Sequence, residues 1–284
     1  MKNFKTILFI FLFSPFLIFS QKKEKDTTAV KLERAAFESA WIIDNPTNVL
    51  YSRNTMELQF AHRFGLVNGK NDLIGIWGAS NIRIGVSYAI LDRLTVGFGT
   101  SKFDRLQDFN WKVAILRQTR GNEMPVSVSY YGNFTIDART KDNFFRTQDR
   151  YSFFHQVIIA KRFTPAFSLQ IAPSLSHYNA VPPKTRNDKF AIAVSARLKV
   201  SPQTAIIVDY SQPFTHHLFP DRFYPAPGLS LGAEFRTSSH VFQVILSNYN
   251  GIVSQKNYMF NETNIDPFNG YFLIGFNMTR LYNF

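Results

Sequence analysis

The 284-residue sequence has no cysteine, so disulfide staples and thiol-held metal are excluded, while enzymes built on serine or carboxylates are not. Beyond Ser20 it also lacks any apolar run approaching the ~20 residues that a membrane helix needs. An integral protein of this kind must cross with strands. Acidic residues are scarce, with 20 Asp+Glu against 32 Lys+Arg and a formal net charge of +12. Such an excess suits anionic partners such as lipopolysaccharide headgroups or an anionic solute. The basic residues are scattered singly, with no stripe and no recognition motif, so no nucleic-acid partner is expected.

Aromatic residues are abundant, at 16% with 30 Phe and 12 Tyr, yet mean hydropathy is only −0.13. That combination fits walls that give half their residues to lipid and half to a polar interior. The N-terminus reads as a signal peptide over residues 1–20: Lys2 and Lys5 precede the apolar run Ile7 to Phe13, and Ser20 stands at the expected cleavage point. Residues 21–53 follow as a periplasmic or plugging segment, charged over Lys22–Asp26 and apolar at Phe37, Trp41, Ile42, Ile43 and Val49. Residues 54–284 form the third part.

There, twelve segments alternate with period two. Ile82, Ile84, Val86, Tyr88 and Ile90 oppose Arg83, Gly85, Ser87 and Ala89, and Phe190, Ile192, Val194 and Leu198 oppose Ala193, Ser195, Arg197 and Lys199. A sandwich with one wet face would show the same split, but here connection lengths alternate too. Short links at 91–93, 164–166, 201–203 and 237–239, and a moderate one at 119–125, interleave with long ones at 65–80, 101–108, 138–150, 178–188, 213–227 and 249–268. Short periplasmic turns and longer extracellular loops predict an all-β fold: a transmembrane antiparallel β-barrel of about twelve strands in a Gram-negative outer membrane, with both termini periplasmic. The last strand carries Phe272, Ile274, Phe276, Met278, Tyr282 and Phe284 on one parity. A terminal aromatic of this kind is expected to engage the barrel-assembly machinery, with outer-membrane lipid and lipopolysaccharide around the wall.

The stretches Ile42-Ile43-Asp44-Asn45-Pro46-Thr47, His62-Arg63-Phe64-Gly65, Gly75-Ile76-Trp77-Gly78-Ala79-Ser80-Asn81-Ile82-Arg83-Ile84-Gly85 and Gly97-Phe98-Gly99-Thr100-Ser101-Lys102 resemble a Bacteroidota-type outer-membrane β-barrel family catalogued only as a domain of unknown function. The resemblance spans most of the chain after the signal peptide. It implies the barrel fold and carries no catalytic or ligand residues with it.

Function is sought in the inward parity. Its candidate lumen-lining residues are Arg63, Arg83, Lys112, Arg117, Asp137, Arg197, Lys199, Asp209, Glu234 and Arg236, together with Glu57. Ion pairing that stiffens the wall is one reading of these charges; a constriction favouring anions is the other, since rings of Arg and Lys select them. Lumen positions such as Ser195 are expected to accept charge where lipid-facing ones such as Val194 reject it. Tyr131 and Tyr271 are expected to fill interior space.

A Ser-His-Asn hydrolase site would need Ser174 or Ser176 beside His155, but pairing from the turn at Thr164-Pro165-Ala166 sets His155 opposite Leu175, with both serines on the other face. His155 and His177 become diagonal neighbours without further metal ligands, and the adjacent His216 and His217 read as a loop tip. No metal, cofactor or catalytic residue is therefore expected. The functional expectation is passage or binding of a small hydrophilic, anion-leaning solute. A non-conducting barrel that displays its loops to a partner is the alternative, and a membrane hydrolase the third.

Overall fold

The computed structural model describes residues 30–67, 73–214, 223–264 and 272–284. The signal-peptide segment, the charged tail, His216, His217 and Tyr271 lie outside these residues. Twelve alternating strands pair antiparallel with their chain neighbours and close into a barrel. They are β1 Thr55–Val67, β2 Asn81–Leu91, β3 Leu94–Ser101, β4 Leu106–Leu116, β5 Ser127–Asp137 and β6 Tyr151–Arg162. The second half adds β7 Phe167–Tyr178, β8 Asp188–Lys199, β9 Thr204–Phe214, β10 Gly228–Arg236, β11 His240–Ser247 and β12 Phe272–Asn283. Closure comes from β12 on β1, running from Phe272 opposite Val67 to Asn283 opposite Thr55. Among the described residues no strand of the barrel keeps an open edge, which removes the backbone groups that lipid could not satisfy.

Side chains follow the alternation. On β8, Phe190 and Leu198 face outward while Ala191, Ala193, Ser195 and Arg197 are buried inward. Outward aromatics make lateral contacts from strand to strand at the end opposite the termini: Phe98 to Phe109 at 5.1 Å, Phe109 to Phe134 at 6.4 Å, Phe134 to Phe153 at 5.2 Å and Phe190 to Phe214 at 5.9 Å. Phe163, Phe167, Phe242 and Tyr282 stand near the other end. Two such girdles around an apolar band mark the depth of a bilayer.

Connections at the terminal end are short at 92–93, 163–166, 200–203 and 237–239 but not at 117–126, between β4 and β5, while those at the other end are mostly longer. One outer link departs from expectation. Residues 101–108 were expected as a loop, but Phe103–Arg105 form one 3₁₀ turn and Leu106, Gln107 and Asp108 already pair with Asp137, Ile136 and Thr135. Asp108 turns inward to an arginine, so β4 begins where polarity suggests loop.

The interior is filled from both ends. Leu32 bridges to Thr119 beside the β4–β5 turn, and the Glu33 amide donates to the Gln118 carbonyl at 2.8 Å. The chain then enters the lumen, reverses through a small hairpin of Trp41–Ile42 with Asn45–Pro46, and returns to β1. From the opposite end the β11–β12 connection folds inward as helix α1, Ser254–Phe260, which lies against β6–β9.

Candidate functional site

The small hairpin gives the lumen its centre because its apolar and polar residues each find a matching sector of wall. Phe37, Ile42, Ile43 and Val49 pack against the inward residues Ala160, Ile207 and Ile245. Trp41 packs with Tyr131, Phe154, Ile158 and the helix residue Tyr258. Burying side chains of this size contributes ~1.5–3 kcal/mol each before entropy. Phe154, Ile158, Ile207 and Ile245 would face water if the lumen were a standing-open pore, so the wall itself favours the filled state.

At the hairpin tip, Asp44 and Asn45 collect the polar sector. The Asp44 carboxylate accepts from Arg63 Nη2 at 2.9 Å, Ser230 Oγ at 2.7 Å and Ser247 Oγ at 3.1 Å, and all four residues are buried. Asn45 donates through Nδ2 to Asp209 and Ser211 at 3.0 Å, while its Oδ1 accepts from the Tyr258 hydroxyl. Asn45 thus joins the segment rising from one end to the helix descending from the other.

Ile43, just before them, holds φ at 51°, a left-handed conformation that a β-branched residue adopts only when its surroundings impose it. The surroundings do: its carbonyl accepts from Arg63 Nη2 at 3.2 Å and Asn277 Nδ2 at 2.9 Å, and its amide donates to Gln243 Oε1 at 3.2 Å.

The other wall charges are also matched. Arg83 forms a two-armed pair with Asp108 at 2.7 and 2.8 Å, donates to Gln59 at 2.5 Å and stands 5.7 Å over the Trp41 ring. Gly99 makes this possible, since a Cβ there would lie 2.2 Å from Arg83 Nη2. Lys112 donates to the carbonyls of Ala40 and Val49, and Glu57 accepts from the Tyr51 hydroxyl at 2.8 Å. Arg197 pairs with Glu234 at 2.7 Å and with Glu38 of the segment at 3.4 Å.

Of the sequence-derived candidates, Glu57, Arg63, Arg83, Lys112, Arg197, Asp209 and Glu234 are buried in the lumen. The remaining four sit at the rims. Arg117 and Lys199 lie at the terminal end, and Arg236, half-exposed, pairs with Glu38 at 2.9 Å. Burial beside Arg93 lowers the Arg117 pKa from its usual value. Asp137 is at the opposite mouth, paired with Arg139 at 2.6 Å, and its hydrogen bonds are what chiefly raise the Arg139 pKa.

Sequence reasoning missed Asp108 and Lys189, both inward and buried: Asp108 closes a stretch read as loop, and Lys189 stands one residue before the alternation read from Phe190. It also missed Asp44 and Asn45 as lumen residues. The buried charges among the described residues therefore number five basic (Arg63, Arg83, Lys112, Lys189, Arg197) and five acidic (Asp44, Glu57, Asp108, Asp209, Glu234). The basic excess expected in the lumen is absent there.

His155 stands opposite Leu175 on the outer face and shares a 2.6 Å hydrogen bond with the Tyr130 hydroxyl, while Ser174 and Ser176 are buried inside. A base on one side of the wall and serines on the other cannot exchange a proton directly. His177 is engaged by Asp188 at 2.8 Å rather than by His155.

Above α1, at the end opposite the termini, a cavity of about 480 Å³ opens outward, bounded by Asp104, Asp137, Arg139, Phe144, Arg150, Tyr178, Lys256 and Phe260 among others. A smaller one of about 140 Å³ lies between the segment and the wall near Arg117, Asn48 and Gln118.

The chain shares its architecture with the NanC porin at 7% identity and TM-score 0.52, over 81% of this chain and 99% of that one. It is similarly close to the COG4313 outer membrane channel from Pseudomonas putida F1, at 13% identity and TM-score 0.50, over 82% and 97%. At such identities the likeness concerns the fold alone. No relative is detected among curated proteins. A family model described as a membrane bound beta barrel domain matches residues 37–282, a span that takes in the lumen hairpin as well as nearly all of the wall, and the chain belongs to that family, DUF5777, whose function is unknown.

Proposed function

We propose that the protein is an outer-membrane barrel that binds, and on displacement of its own N-terminal segment passes, a small hydrophilic solute. The end at which residues 31–35 enter the lumen and β12 finishes faces the periplasm and the longer loops face outward, as loop length dictates in such barrels. One observation carries the reading: Asn45 is fully buried between wall, segment and α1, so the lumen is shut at its centre by a piece of chain joined to the wall covalently only at β1. Much of what holds that piece is hydrogen bonding from wall side chains to its backbone, from Arg63, Lys112, Gln170, Gln243 and Asn277. Water can supply the same bonds once the segment leaves, which favours a removable closure over a permanently dry core.

Planar-bilayer conductance of the refolded full chain, compared with a chain lacking residues 21–53 and with an Asp44→Ala variant, tests this. Rare or no openings in the full chain and frequent ones in either variant are expected. Stable, standing openings in the full chain would refute the closure. Silence of folded variants would favour the second reading, a non-conducting display barrel, which the outward exposure of Trp77 and Phe145 supports.

A further inference from the structure

We propose that the outward cavity above α1 is a binding site for a small organic monocarboxylate with an apolar body, captured by Arg150. The purpose of such a site rests on the solute-binding reading above, but its existence does not. Its volume of about 480 Å³ is in the range of small-molecule sites. Its lining divides into two halves. Leu106, Phe144, Tyr178, Val181, Pro182 and Phe260 form an apolar part, with Tyr178 and Phe260 edge to face at 4.9 Å.

The charged part holds three cations and three carboxylates, and their pairing singles out one group. Arg139 is taken up by Asp137 at 2.6 Å and Asp104 at 3.2 Å, and Lys256 by Asp104. Asp149 accepts from the Arg146 amide at 2.7 Å, closing the 3₁₀ turn Thr147–Arg150. Arg150 alone among these cations has no carboxylate partner among the described residues. Its guanidinium lies 4.8 Å over the Phe144 ring and its Nε is buried without a hydrogen-bond partner.

A stacked, half-buried guanidinium with free terminal nitrogens is shaped for the two oxygens of one carboxylate. The surrounding Asp104, Asp137 and Asp149 disfavour a dianion such as phosphate, and the apolar half favours a ligand with a hydrocarbon or ring body over a small inorganic anion. The ligand class follows from both halves together. Entry from the outer face would place it directly on α1, whose Lys256 and Phe260 form part of the lining and whose Tyr258 holds Asn45 below.

The test uses the refolded full chain in detergent and three probes of one shape: 3-phenylpropionate, its neutral amide and 3-phenylpropylamine, followed by calorimetric titration. Saturable binding of the carboxylate is expected, at least tenfold tighter than the amide or the amine. Arg150→Gln should abolish that preference, and Arg146→Gln, whose side chain lies over Phe145 outside the cavity, should leave it intact. Heat-modifiability on gels checks that both variants fold. Equal affinity for carboxylate and amide, no saturation by about 10 mM, or equal behaviour of the two arginine variants would overturn the site. Binding by a protein that never conducts would leave the site standing and remove only its transport role.

Discussion

Asp44→Ala tests the closure at its tightest point. The substitution removes the carboxylate that accepts from Arg63, Ser230 and Ser247, and leaves a fully buried guanidinium with only the Asn277 side chain and the carbonyls of His62 and Ile43. Removing one partner of a buried ion pair costs about 3–5 kcal/mol, because the other charge stays desolvated. The wall's own ladder does not include Asp44, so the loss falls on the docking equilibrium of residues 31–53. At 1.4 kcal/mol per tenfold it multiplies the undocked fraction by roughly 10²–10⁴. Limited proteolysis from the side of the short turns in vesicles should then cleave the segment far faster, while the barrel remains heat-modifiable. Asp44→Ala with Arg63→Met removes both charges and should recover much of the protection. A segment as resistant in Asp44→Ala as in the parent, or a double variant no better than the single, would refute the reasoning.

Gly99→Ala should lower the thermal midpoint of heat-modifiability, by loss of about 1–3 kcal/mol, because the new methyl displaces the Arg83 guanidinium from Asp108; Gly121→Ala, where the nearest atom is 3.6 Å away, is the control and should be neutral. Val194→Arg should destabilise by about 2–4 kcal/mol through charge on the lipid face, and Ser195→Arg should also destabilise strongly, since Ser195 is fully buried against Asp209 and Gln170; tolerance at 195 in urea refolding would contradict a filled lumen. If Asp44→Ala conducts, four acidic wall residues remain against five basic ones, so reversal potentials in a salt gradient should give only a weak anion preference, and a strongly anion- or cation-selective pore would contradict this balance.

Much of the wall was legible in the sequence, because each strand residue has two orientations and the lipid side demands apolar ones. The segment from Phe190 to Lys199 states its parity without help, and the turn at Thr164-Pro165-Ala166 was enough to set His155 opposite Leu175. Strand starts were less legible. Asp108 and Lys189 are charged residues at the ends of alternating runs, and only their inward pairing or burial distinguishes them from loop.

The filled centre was not legible as a site. Asp44 and Asn45 meet Asp209, Ser230 and Ser247 from more than 160 positions away, through contacts that no period in residues 36–50 encodes. The expectation that Ser195 would tolerate charge loses its premise for the same reason. It assumed water where the protein has placed Asn45 and Gln170.

The balance of forces at the lumen centre bears on the choice between a stiffening core and a movable closure. A core meant only to stiffen the barrel would gain most from apolar matching, since hydrogen bonds inside a protein add about 0.5–1.5 kcal/mol net over those to water. Here the apolar matching is confined to one sector, around Ile207 and Ile245 on one side and Phe154 and Ile158 on the other. The opposite sector presents Arg63, Arg83, Lys112 and Asn277, which remain useful when wet. The backbone of Ile43 is held at φ 51° by hydrogen bonds to Arg63, Asn277 and Gln243, so it can relax on release and offset part of the cost of undocking. On the movable-closure reading proposed above, the apolar sector makes the closed state the resting one, and the polar sector and the strained residue keep the open state within reach of a ligand or partner that can supply a few kcal/mol.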